Sequence, residues 1–274
     1  VTLPKRGVKK GMISGTPYYG SKLVYGNMTS NANKLPNIHN LNYLQQLVKE
    51  FPIEFTERIS LEDDTQINQS FTENTLVFET QGNVELRDIV LYGNVVVISS
   101  DKITITDSST LENVILIAPV VTVAPNVTGS FQVFATKRIH LKAGAQLKYP
   151  SSLVLIKDKE TTAATEFEGI KIDDKASLEG VVLYHSEEQK STYKTQVLIE
   201  DKAHVLGEVY CNKNLELRGR IDGFVYANNF IAKQFGGVYM NHLYNAEIDA
   251  TSISENYSGL SIGVGNKQVA KWIE

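Results

Sequence analysis

One cysteine, Cys211, stands among 274 residues, so an intrachain disulfide framework and a multi-cysteine metal site are both excluded. Long hydrophobic runs are also missing. The longest largely apolar stretch, residues 114–123, is far too short to cross a bilayer as a helix. Acidic side chains are absent from residues 1–49, which carry +7 through Lys5, Arg6, Lys9, Lys10, Lys22, Lys34 and Lys49. With a total of −4, residues 50–274 therefore hold −11. Such a basic arm on an acidic body suits contact with an anionic partner such as lipid headgroups, or folding of the arm onto its own body. No HExxH, CxxC, GxSxG or Walker-type loop occurs.

What is present is a repeat. Short apolar triplets start at Val84, Ile103, Val121, Ile139, Ile170, Val197 and Leu215, separated by 19, 18, 18, 31, 27 and 18 residues. The two long intervals are one turn plus an insertion. Twelve residues after each start stand Val96, Ile115, Val133, Ser151, Val182, Val209 and Ala227. Eight residues after it stand Tyr92, Leu111, Gly129, Leu147, Leu178, Val205 and Gly223. Turn formers such as Asp107, Asn126, Gly144, Asp174 and Asp201 follow the triplets.

Two apolar residues in alternation place their side chains on one face of a strand, and a strand that short cannot bury that face alone. Stacking equivalent strands solves the problem. The pattern predicts an all-β parallel β-solenoid with about 18 residues per turn and about eight rungs. The missing hexapeptide rhythm favours a right-handed coil. A β-sandwich would call for hairpin turns, and only Asp222-Gly223 is suitable.

The chain divides into a basic arm and helix (1–60), the solenoid (61–232) and an irregular segment packing on it (233–274). The helix is expected over residues 40–51, with Leu41, Leu44, Leu47, Val48 and Phe51 on one face and Asn40 as N-cap. Its expected place is over the open N-terminal rung, because exposed terminal rungs invite edge-to-edge pairing. Trp272 is expected to pack against the last rungs.

The insertions, about 157–169 and 186–196, leave consecutive turns at nearly the same angle, so they should emerge side by side. Lys159, Glu160, Glu187, Glu188, Lys190 and Tyr193 are the candidate partner-binding residues on them. Asp173, Asp174, Glu200 and Asp201 occupy one corner of neighbouring turns, where carboxylates about 5 Å apart could hold a cation or serve a glycosidase. Lys175 and Lys202 follow immediately and are expected to neutralise that corner. His140, His185 and His204 fall at different offsets within their rungs, so no metal site and no cofactor is expected. Cys211 shares an apolar column with Ile98, Ile117, Ala135, Leu153 and Tyr184 and reads as a buried core residue.

The segments Leu178-Glu179-Gly180-Val181-Val182, Val205-Leu206-Gly207-Glu208-Val209 and Leu217-Arg218-Gly219 resemble the rungs of bactofilin-type, polymer-forming β-helices, over about residues 84–232. A further likeness runs through residues 3–10, 20–26, 34–36, 149–152, 207–211 and 241–243. These blocks are similar to uncharacterised proteins of Bacteroidota-type bacteria that carry an N-terminal membrane segment before an exported β-helical part. The resemblance implies a non-enzymatic scaffold or partner-binding element of the cell envelope, with an anchor upstream of Val1. Lys5, Arg6, Lys9 and Lys10 would then lie near the membrane. It brings no catalytic residues. The expected partners are an envelope protein or glycan, an anionic membrane surface or a second copy of the chain, and not nucleic acid. The alternative is a polysaccharide lyase or hydrolase, for which arginine at only six positions is sparse.

Overall fold

The computed structural model describes residues 2–3, 7–30, 34–51, 65–157, 167–188 and 193–262, together with the backbone of 56–59. It is a coil of parallel strands. On the first side, Asn83–Leu86, Lys102–Ile105, Val120–Val123, Arg138–Leu141, Gly169–Ile172 and Val197–Ile199 pair in turn. The column Val84, Ile103, Val121, Ile139, Ile170, Val197, Leu215 lies in direct register, as the repeat requires. The second and third sides are the earlier and later parts of longer strands that bend at the corner, among them Thr110–Ile117, Thr128–Ala135, Gln146–Lys157, Ser177–Ser186 and His204–Leu217. Inward side chains of all three sides form one continuous dry core, in which Ile103, Val121, Ile139, Ile170 and Val197 have no exposed surface.

The columns depart from the regular spacing at four places, each for a local reason. In the first two turns Val97 and Leu116, not Val96 and Ile115, take the inward place in line with Val133, because the register shifts between Glu112 and Val114. Leu91, not Tyr92, stacks on Leu111. Two extra residues, Tyr149 and Pro150, lengthen one strand, so Leu153 rather than Ser151 meets Val133 and Val182. The last full turn is short, which places Ile221 on Val205 and Val225 on Val209, in the positions expected for Gly223 and Ala227. Gly223 instead stacks on Gly207, which stacks on Gly180. At Gly207 the backbone has φ 144° and a Cβ would sit 2.0 Å from the Gly180 carbonyl oxygen. Only glycine lets the rungs close there.

The helix α1 (Leu41–Lys49) forms with the expected apolar face, Leu47 being buried. Asn40 occupies the N-cap position, but its side chain makes no capping bond. The helix does not cover the coil's open end. It lies along the outside of the third side, where Leu41, Leu44, Leu47, Val48 and Phe51 join a second apolar cluster with Val96, Ile117, Phe134, Val154, Ile156, Leu183 and Tyr210. The cause is the third side itself. Its strands are apolar on both faces (Val95-Val96-Val97-Ile98, Leu153-Val154-Leu155-Ile156) and need a cover outside as well as a core inside. Residues flanking α1 and the C-terminal segment complete that cover. Ile38 bridges Ile262, the Tyr210 hydroxyl donates to the Pro36 carbonyl at 3.1 Å, and the Leu260 N–H donates to Glu208 at 2.6 Å.

Beyond residue 232 the chain turns back as an antiparallel hairpin, pairing 231–234 with Gly237–Met240. A last strand, Glu247–Asp249, then stacks on residues 220–222. Trp272 lies outside the described residues.

Two substitutions separate core packing from rung closure. Ile139→Ala should cost about 3–4 kcal/mol in urea unfolding, because it empties a site with no exposed surface. Gly207→Ala adds one carbon yet should cost about 3 kcal/mol or more, since the rungs must separate to admit it.

Candidate functional site

Parallel stacking sets the geometry of the two insertions. Lys157 pairs with Ser186 where they depart, and Ile170 pairs with Val197 where they return. Their roots therefore stand side by side on adjacent turns. Gln196 and Asn214 tie the second root to the next turn: the Asn214 N–H donates to Gln196 Oε1 at 3.1 Å, and Asn214 Nδ2 donates to the Lys194 carbonyl at 2.7 Å. The Thr195 hydroxyl donates to the buried carboxylate of Glu216 at 2.7 Å. On the departing side, Asn212 bonds both the His185 ring and the Ser186 carbonyl. Lys157 pairs with Glu168 across the mouth of the first insertion, and Lys213 donates to the Glu188 carbonyl.

Of the residues singled out on the loops, Glu187 and Glu188 are exposed at the second root, and Glu187 accepts from Gln45 of α1 at 3.1 Å. Tyr193 is 71% exposed. Lys159, Glu160 and Lys190 lie outside the described residues, as do Lys5 and Arg6, whereas Lys9 and Lys10 are exposed on the arm.

The acidic corner forms an open depression of about 390 Å³ lined by Ala143, Asp173, Asp174, Glu200 and Asp201. Its balance of charge differs from the expected one. Lys175 and Lys202 take the left-handed corner positions, at φ 59° each, and the cations that meet the carboxylates come from the adjoining strands. Asp173 Oδ2 accepts from His140 Nε2 at 2.7 Å, while Lys171 approaches Asp173 at 2.9 Å and Glu200 at 3.8 Å. Arg218 bridges Glu200 at 2.8 Å and Glu216 at 2.6 Å. The result is a ladder running across four turns. A second ladder joins His204, Asp222, Arg220, Glu247 and Asp249. Among the described residues, no group of three or more His, Cys, Asp or Glu side chains is arranged to hold a metal ion.

These ladders follow from i, i+2 neighbours on one strand, from directly stacked pairs such as Glu200 with Arg218 and Arg220 with Glu247, and from diagonal neighbours on the next turn. All these relations could be read once the register was known, but the separate offsets of the histidines concealed them. Cys211 is buried between Tyr184 and Ala227, and burial pushes its thiol up to about 12, so it behaves as a small core residue.

Comparison with protein-family models, with curated proteins and with solved structures gives no match to this chain.

The ladder that begins at His140 has a pH signature. Burial lowers the pKa of His140 below its ordinary 6.5, outweighing the neighbouring carboxylate, so the neutral ring donates to Asp173 at neutral pH. Burial raises the Asp173 carboxyl, but the bonds from Lys171 and His140 outweigh it and hold the group below its ordinary value. An unfolded histidine takes up a proton that the folded one resists. His140 therefore withdraws stability as pH falls through about 6.5. In urea titrations at about pH 7.5 and about pH 5.5, His140→Gln should lose less stability on acidification than the native chain. The part due to His185, which burial also lowers, should remain.

Proposed function

We propose that the chain is a non-enzymatic scaffold and partner-binding element of a bacterial cell envelope, a bactofilin-like coil of right hand that presents its two adjacent loops to an envelope protein or glycan. The observation that carries this reading is the pairing of the loop roots. Lys157 with Ser186, and Ile170 with Val197, bring two polar insertions to one edge of a stiff rod. Tyr193 and the Glu187–Glu188 pair stand exposed beside them. Exposed aromatic and charged side chains on an ordered platform are what a partner reads on a repeat protein. The arginines near the acidic corner also support a structural role. Arg218 and Arg220 are each engaged by two or more carboxylates rather than turned toward an open groove.

The test is capture from envelope extracts by the native chain and by a variant carrying Glu187→Lys, Glu188→Lys and Tyr193→Ala. The variant should lose the specific partner, and equal capture by both would sink the reading. Release of reducing ends or unsaturated sugars from a polysaccharide panel, abolished by Asp201→Ala, would replace it with the enzyme alternative.

A further inference from the structure

Two segments far apart in the chain meet at the C-terminal end of the coil. The Ser14 hydroxyl and the Tyr239 hydroxyl lie 3.0 Å apart, and the His242 ring packs against Gly11. The N-terminal arm thus shares a surface with the terminal hairpin. Both segments leave large apolar side chains in solvent: Tyr19 is 84% exposed, Tyr25 81%, Met28 61%, Phe235 70%, Val238 49% and Leu243 47%. Neither contains an acidic residue, since residues 1–49 and 233–246 hold no Asp or Glu. Their charge is supplied by lysine, with Lys9, Lys10 and Lys22 exposed and Lys233 half-buried.

This combination is unlike the rest of the molecule, since residues 50–232 and 247–274 together carry −12. A water-facing surface of this kind normally scatters its apolar groups and mixes its charges. The carboxylates of the strand that closes this end of the coil, Glu247 and Asp249, are paired with Arg220. Aromatic side chains interleaved with lysines, on segments without carboxylates of their own, match the headgroup layer of an anionic bilayer. There the rings insert at the polar boundary and the ammonium groups meet phosphates. No described helix is long and apolar enough to cross a membrane, so the contact is one of lying on the surface.

We propose that the arm and the terminal hairpin together form a single face that binds the surface of anionic membranes, standing the coil on its C-terminal end. This rests on the envelope reading above and adds the hairpin, and with it an orientation, to the basic arm.

The test is co-sedimentation of the full chain with phosphatidylcholine vesicles, plain or containing about a third phosphatidylglycerol. Binding should require the anionic lipid and weaken severalfold as salt rises from about 0.1 M to about 0.5 M. Two variants should each lose about tenfold in affinity: Lys9→Glu/Lys10→Glu/Lys22→Glu on the arm, and Phe235→Ser/Val238→Ser/Leu243→Ser on the hairpin. Circular dichroism should show an unchanged strand signal in both. If the hairpin variant binds as the native chain does and only the arm variant fails, the shared face is overturned. Equal binding to neutral vesicles, or none to either, overturns the membrane. Self-association in sedimentation velocity, lost in the same variants, would put a second copy of the chain in its place. Loss of vesicle binding with capture through Tyr193 intact would leave the envelope reading standing without this face.

Discussion

Everything in this fold depends on parallel register. A rung hydrogen-bonds to the rungs above and below, so each residue sits on its counterpart one turn away, about 4.8 Å distant. The rule is permissive for apolar side chains, and Ile103, Val121 and Ile139 stack without exposed surface. It is strict for charges, because a repeated acid or base would stack against itself. The outward columns of the first side show how the chain meets this. Thr122, His140, Lys171, Leu198 and Glu216 succeed one another in one column. In the neighbouring positions Asp173, Glu200 and Arg218 supply the opposite partners. Individually such half-exposed pairs contribute little, about 0–1 kcal/mol. Their main consequence is that each turn recognises the next, which a uniform stack of threonines would not achieve.

The first side was legible because its strands alternate. Ile103, Thr104 and Ile105, or Ile139, His140 and Leu141, state which face is inside and where the next turn begins. The loop positions followed from the same counting, since an interval of 31 or 27 residues against a period of 18 leaves a fixed excess at a fixed place. The third side was harder. Residues 95–98, 114–117, 153–156 and 181–184 are apolar throughout, and such runs show that a strand is buried without showing on which face. Read together they carried the missing signal. A column of strands apolar on both faces needs an outer cover, and α1 was the one amphipathic segment available to provide it. Local insertions were invisible to column counting, so Ser151 held the place that belongs to Leu153. By counting alone Gly223 falls in an apolar column, whereas it belongs to a stack of glycines.

The functional features divide in the same way. Adjacency of the loop roots follows from period alone. Partners of the acidic corner follow only in part: Arg218 lies one period from Glu200 and directly on it, whereas His140 reaches Asp173, and Lys171 reaches Glu200, along diagonals that column counting does not show. The surface shared by the arm and the hairpin lay further still beyond sequence reasoning, since nothing in the repeat brings Ser14 to Tyr239.

The placement of α1 has a mechanical corollary. The arm begins at the C-terminal end of the coil, and the helix carries the chain back along the outside of the third side, from Gln45 beside Glu187 to Leu47 and Phe51 beside Ile98 and Ile117. A pull on the arm is therefore directed along the axis and loads the helix in shear against several turns at once. Peeling would break contacts one at a time, whereas shear must break them together. The helix is so placed that a load on the arm would fall on its contacts with the third side before it reached the backbone bonds that hold the coil.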